Sequence, residues 1–180
     1  FLYTQLINDF IKDVIGHRTN IIASNASCPL ALVACLNAPD SFDKICLINP
    51  PSLQECGQIP TDASKLYMRL LEIPVFETMI YNIAFSKKML RETFEKEYIF
   101  DSAKIADSDI SCYHESAHLS GSPSKALFAS IHGKYTNFNV SKALKDINHN
   151  IFIIGGEEIP SIEDTIREYQ NLNPVVGSSL

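Results

Sequence analysis

Residues 20–32 read Asn20-Ile21-Ile22-Ala23-Ser24-Asn25-Ala26-Ser27-Cys28-Pro29-Leu30-Ala31-Leu32. A short apolar run passes through a cluster of small residues and continues at once into a second apolar run reaching Leu36. The first run predicts a strand over 20–24 and the second a helix. Pro29 suits that helix's first turn, where a missing N–H costs little. The helix has almost no polar face, so it must be buried against other layers. Residues 44–49 (Lys44-Ile45-Cys46-Leu47-Ile48-Asn49) predict a second strand, stopped by Pro50-Pro51. Strand, helix and strand within ~30 residues make a βαβ unit with parallel strands and a right-handed crossover. Strands this uniformly apolar fit a sheet covered on both faces.

Working outward, residues 2–15 predict an amphipathic helix. Leu2, Leu6, Ile7, Phe10, Ile11, Val14 and Ile15 recur at helical spacing, and Gly16 follows as the C-terminal cap. From about 52 to 135 no strand pattern appears. Helices are expected over 62–72, 75–97 with a break near Ser86, 109–119 and 123–132, punctuated by Pro60, Pro74 and Gly121-Ser122-Pro123. The α/β pattern then resumes, with a helix over 140–147, a third strand from Asn150 to Ile154 and a turn at Gly155-Gly156. Ser161 and Asp164 then open a helix through about Tyr169. Ser178-Ser179-Leu180 shows no clear final element. Residues 1–51 and 136–180 are therefore expected to form an α/β core, incomplete at both ends, with 52–135 a helical insertion. The chain reads as an internal fragment of a longer protein.

Hydrophobic residues make up 46% of the 180, the share of a packed globular domain. The net charge of -6 argues against a nucleic-acid partner. Cys28, Cys35, Cys46, Cys56 and Cys112 form no CxxC pair and no metal-ligand spacing, and are expected as reduced thiols. No run reaches the ~18 apolar residues of a membrane span. No membrane partner is expected, and the cytoplasm is the expected compartment.

The stretch from 20 to 36 resembles the nucleophile elbow of the α/β-hydrolase superfamily, a sharp strand-to-helix turn written G-x-S-x-G. The resemblance spans most of the chain: a helix, the elbow strand and helix, a strand ending in Asn-Pro, a helical cap, a helix, then a strand ending in Gly. It implies a three-layer fold, a mostly parallel sheet with helices on both faces and a helical cap insertion, here a partial domain. It also implies hydrolysis of ester or acyl-type substrates through a covalent intermediate. In the matching register Ala23 and Ser27 take the glycine positions and Asn25 takes the nucleophile position. Asn tolerates positive φ, so the turn can form. An amide, however, has no proton whose removal creates an attacking anion. The N–H of Ala26 takes an oxyanion-hole position. An alternative register makes Ser27 the nucleophile, with Asn25 and Pro29 at the glycine positions.

The family's acid follows the next-to-last strand in a Gly-x-x-Asp turn. Here Gly156-Glu157-Glu158-Ile159 puts Ile159 at the acid position, and Glu157 or Glu158 could substitute. After the preceding strand, Asn49-Pro50-Pro51 holds no carboxylate, and Glu55 is the nearest. The family's histidine falls beyond residue 180. Both visible triad positions depart from the pattern, and triad members act as a unit. The resemblance thus implies either a hydrolase degenerate at Asn25 and Ile159 or a non-catalytic relative that binds a ligand or partner. The expected ligand is a small acyl or apolar molecule, and no cofactor is implied.

His114-Glu115-Ser116-Ala117-His118 matches H-E-x-x-H, the pattern in which two histidines on one helix face hold zinc beside a glutamate base. Gly121 stands at the glycine of the longer metzincin pattern, but Ser124 occupies its third histidine position. The segment is short and polar, and the strands read as parallel. A zinc hydrolase is the lesser alternative, and no metal ligand is assigned. His17-Arg18 and His149 read as surface positions. Phe76, Tyr81 and Phe85 read as core of the insertion.

Overall fold

The apolar runs become parallel strands. The computed structural model describes residues 2–71, 73–99, 101–119 and 124–180. Strands β1 (Thr19–Ser24), β2 (Phe42–Ile48), β3 (Asn150–Ile154) and β4 (Gly177–Ser179) lie side by side in that order. All three pairings are parallel, with Ser24, Ile48, Ile154 and Ser179 in one row at the C-terminal edge. The chain divides into two compact units, 1–58 with 137–180, and 59–136.

The first unit holds the sheet. Its helices are α1 (Leu2–Phe10), α2 (Cys28–Asn37), α3 (Leu53–Cys56), α9 (Ser141–Asp146) and α10 (Ile162–Leu172). Helix α2 packs on β1 and β2, α1 and α9 pack on α2, and α10 packs on α9. The strand residues facing this layer, Ala23, Ile45, Leu47, Ile151 and Ile153, are buried together with Leu32, Ala34 and Cys35 of α2. Each large aliphatic side chain so buried contributes roughly 1.5–3 kcal/mol. That is why a nearly all-apolar α2 is stable here and nowhere in water. On the opposite sheet face the alternate residues stay open. Ile22 is 72% exposed and Phe152 45%, and Cys46 and Ile48 are half-buried.

Three expectations meet a different outcome. The segment 2–15 is α-helical to Phe10, then widens by one residue per turn over Ile11–Ile15 and ends at Gly16 in the left-handed region, φ 72°. Its apolar residues split into two stripes. Ile11 is buried and Ile7 and Ile15 are half-buried, whereas Leu2, Leu6, Phe10 and Val14 are exposed. Ser161 does not cap α10. It sits at φ 60° with no side-chain bond to the helix N-terminus. The last strand, β4, had no apolar signal. Gly177-Ser178-Ser179 is held by backbone pairing to β3, extended by the Gly155 N–H donating to Ser179 O at 2.9 Å.

Two polar devices fix the connections. Buried Asn173 donates through Nδ2 to Leu144 O (2.7 Å) and Ile147 O (2.9 Å), and its Oδ1 accepts from Val175 N. This ties the end of α10 to the α9–β3 connection, with every polar atom of the amide satisfied. Ser52 and Glu55 cap α3 reciprocally, Ser52 Oγ accepting from Glu55 N and Glu55 Oε2 from Ser52 N.

Among its described residues the second unit has no strand, and its α-helices are α4 (Asp62–Leu71), α5 (Pro74–Ala84), α6 (Lys87–Thr93), α7 (Asp107–Ala117) and α8 (Ser124–His132). The break expected near Ser86 is real, and Ser86 Oγ accepts from Met89 N as the cap of α6. Leu90, Ile105 and Ile110 form a small core beside Phe85 and Phe94. Tyr81, Phe85 and Phe128 pack as an aromatic triplet with ring centres 4.5–5.7 Å apart. Phe76, expected in that core, is half exposed at 45%. Gly121, Ser122 and Pro123 lie outside the described residues.

Candidate active site

The C-terminal edge of the sheet is built from four strand ends. In open α/β sheets ligands bind outside this edge. After Ser24 the chain turns abruptly, through one short turn at Asn25–Ser27, into α2. Asn25 has φ 46°, in the left-handed region. A non-glycine residue held there stores strain of about 1–3 kcal/mol, least for Asn, whose short amide tolerates the conformation. Ser24 is extended (φ -127°) and Ser27 is right-handed helical (φ -82°). Asn25, Ala26 and Ser27 are all exposed. Ser24 and Ser27 line an open groove of about 340 Å³ that also touches Tyr3, Leu6 and Ile22; Asn25 lies outside that lining.

Small residues make this turn possible. The Cys28 thiol is wholly buried beneath it and donates to Ala23 O at 3.4 Å and Ile48 O at 3.7 Å. Burial pushes that thiol up to about 12, so it remains protonated and behaves as a small filler, not a nucleophile. Cys35 and Cys56 are likewise pushed up to about 11 by burial.

The neighbouring strand end carries a residue that sequence reasoning undervalued. Asn49, one position past β2, also has φ 46°. Its N–H donates to Ile154 O at 2.9 Å, and its side-chain Oδ1 accepts from Gly156 N at 2.7 Å. Asn49 therefore clamps the loop after β3 against the end of β2. The available signal was an Asn at a strand end before Pro50-Pro51, where the chain must turn sharply and Asn tolerates the left-handed region better than most residues. The clamped loop turns at Gly156, whose carbonyl accepts from Ile159 N at 2.9 Å. The Ile159 side chain packs back against the core. Glu157 and Glu158 are both exposed, and among the described residues neither makes a hydrogen bond or ion pair. They stand at the same sheet edge as the elbow, with β2 between.

The histidine pair lies in the second unit. His114 is in α7 and His118 caps its C-terminus. The His114 Nδ1–H donates to Phe85 O, and the His118 Nδ1–H to His114 O, each at 2.7 Å. Glu115 is exposed. Among the described residues no group of three His, Cys, Asp or Glu is placed to hold a metal, so the three-ligand zinc site of an H-E-x-x-H enzyme is not assembled there. His132 donates separately to Phe128 O at 2.9 Å. His149, expected at the surface, is half-buried with Nδ1 3.5 Å from the Cys35 thiol. Arg18 reaches Phe42 O and Asp43.

No family model matches the chain, and no curated protein matches it in sequence. Solved structures do. The chain is similar to the meta-cleavage product hydrolase CumD of Pseudomonas fluorescens IP01, with a TM-score of 0.65 and 13% identity over 98% of this chain and 61% of that one. It is similar to a carboxylesterase structure from the thaumarchaeon Nitrososphaera gargenis, with TM-score 0.61, 14% identity, and 98% and 62% coverage. MenH from S. aureus gives TM-score 0.61 and 20% identity, covering 98% of this chain and 64% of its own. The chain spans about three fifths of the length of these structures. With the parallel sheet, the strand–turn–helix at Asn25 and the separate helical unit, these likenesses show an α/β-hydrolase fold.

Proposed function

We propose that this chain is a hydrolase-like scaffold that binds a small acyl or apolar ligand at the C-terminal edge of the sheet without cleaving it. The observation that carries the reading is the φ of 46° at Asn25. In the hydrolase elbow the strained apex residue presents the nucleophile. Here that residue is an amide, and Ser27 has already entered a helical conformation. Two further features support the loss of chemistry. Ile159, at the position where the acid would stand, packs against the core, and among the described residues Glu157 and Glu158 have no partner to orient them. A groove of about 340 Å³ that runs along β1 beside Tyr3, Leu6 and Ile22 and meets the C-terminal edge at Ser24 and Ser27 is in the size range of small-ligand sites. Two of the neighbours named above are a meta-cleavage product hydrolase and a carboxylesterase, which supports an acyl-type ligand class. Five free thiols support a reducing compartment, the cytoplasm. Among the described residues no helix is long and apolar enough to cross a membrane.

The test has two arms. p-Nitrophenyl butyrate should be hydrolysed no faster with the chain than in buffer. Hexanoate or phenylacetate should shift the backbone amide resonances of residues 24–28. Ester turnover that disappears in Ser27→Ala would overturn the reading in favour of an active serine hydrolase in the alternative register.

A further inference from the structure

We propose that His114 and His118 form a chelating site for a late first-row divalent metal ion, with Zn²⁺ and Ni²⁺ the ions of matching chemistry. The site is built within the helical unit and is independent of the elbow reading. The two histidines are one helical turn apart, four residues in sequence, which places their side chains on one face. Their ring centres are 4.3 Å apart.

The decisive feature is how each ring is held. A carbonyl oxygen only accepts, so the 2.7 Å contacts to Phe85 O and His114 O put the proton on Nδ1 in both rings. In the neutral imidazole Nε2 then keeps its lone pair. A ligand nitrogen on one side with its other N–H donated to a backbone carbonyl is the arrangement that orients metal-binding histidines. Helix α5 supplies this support twice. Phe85 at its C-terminus holds His114. Tyr81 lies edge-on to His118 at 5.9 Å and donates through its hydroxyl to Ala117 O at 2.8 Å. The end of α7 is thereby fixed, and little side-chain freedom remains to be lost on binding.

Two neutral imidazoles select late first-row ions over Mg²⁺ or Ca²⁺, which require oxygen ligands. Among the described residues no third His, Cys, Asp or Glu completes the set. The ion would keep water or an exogenous ligand at its remaining positions. The role differs from that of an H-E-x-x-H enzyme, because Glu115 has no part in it.

The test uses the full chain carrying Cys112→Ser, which removes the exposed thiol, titrated calorimetrically with NiCl₂ near neutral pH. One Ni²⁺ per chain is expected. His114→Gln and His118→Gln should each weaken it about tenfold or more, because either change destroys the chelate. Glu115→Gln and His132→Gln should leave affinity unchanged. Ni²⁺ should also broaden the ring resonances of His114 and His118 and not those of His132, a readout that does not depend on any variant folding. Absence of Ni²⁺ binding in the parent chain, or affinity kept within about twofold in either histidine variant that retains its helical circular dichroism, would overturn the site.

Discussion

At the scale of single residues, two asparagines shape the edge of the sheet. Asn25 and Asn49 follow adjacent parallel strands, one position past the Ser24–Ile48 pair, and share a φ of 46°. Replacing Asn25 by Ala should cost about 1 kcal/mol, because a Cβ-bearing residue without a compensating amide is disfavoured there. Asn25→Gly should be neutral within about 0.5 kcal/mol, since glycine adopts this conformation freely while loosening the unfolded chain. Urea denaturation of the two variants checks the pair. Equal loss in both would show that contacts of the Asn25 side chain, not its backbone, matter. The tight turn was legible in the sequence because small residues and an Asn stand between two apolar runs. Asn49 was only half legible: its missing carboxylate was noticed, but its clamp on Gly156 spans 107 positions and no local pattern announces it. The buried thiols make a further prediction. Cys28, Cys35 and Cys56 ionise far less readily folded than at their ordinary value of 9.0, about 12, 11 and 11. A raised folded value stabilises the fold fully below the unfolded value and loses that contribution as pH rises toward the folded one. Thermal stability should therefore fall as pH climbs from about 9 toward 11. A flat melting temperature across that window would contradict their burial.

At the scale of elements, helix α2 was the most legible part, because a run with no polar face has only one place to go. Helix α1 was legible as a helix and misleading as a surface. Its apolar residues span two stripes, and only Ile7, Ile11 and Ile15 face the unit's core. Strand β4 and the strained start of α10 at Ser161 escaped notice for a shared reason. Gly177-Ser178-Ser179 is ordered by pairing to β3, and Ser161 by the turn that follows Ile159, so tertiary context overrode weak local preference. What joins the end of α10 to α9 and the connection into β3 is Asn173. Asn173→Ala should destabilise the fold by about 2–3 kcal/mol, because it strands the carbonyls of Leu144 and Ile147 without donors. Chemical denaturation measures this. A loss below about 0.5 kcal/mol would mean that water replaces the amide.

At the scale of the whole molecule, the α/β pattern and the helical segment between its halves were readable because the hydrophobic period changes near residue 52 and again near 140. The open sheet face was not readable. Uniformly apolar strands predict two covered faces, yet Ile22 and Phe152 are largely exposed and Leu2, Leu6, Phe10 and Val14 add an exposed apolar stripe on α1. Exposed apolar surface of this kind binds hydrophobic dyes. The chain should enhance the fluorescence of anilinonaphthalene sulfonate, and the double substitution Ile22→Lys, Phe152→Glu should reduce that enhancement by about half or more without lowering stability. Undiminished dye binding would place the accessible apolar surface elsewhere. The central claim, that the elbow is crowned by an amide and carries no nucleophile, has one most direct measurement. The chain is treated with a fluorophosphonate that traps activated serines, followed by intact mass and peptide mapping. The expected result is unmodified protein, with no adduct anywhere in residues 20–36. A stoichiometric adduct on Ser27 would contradict it.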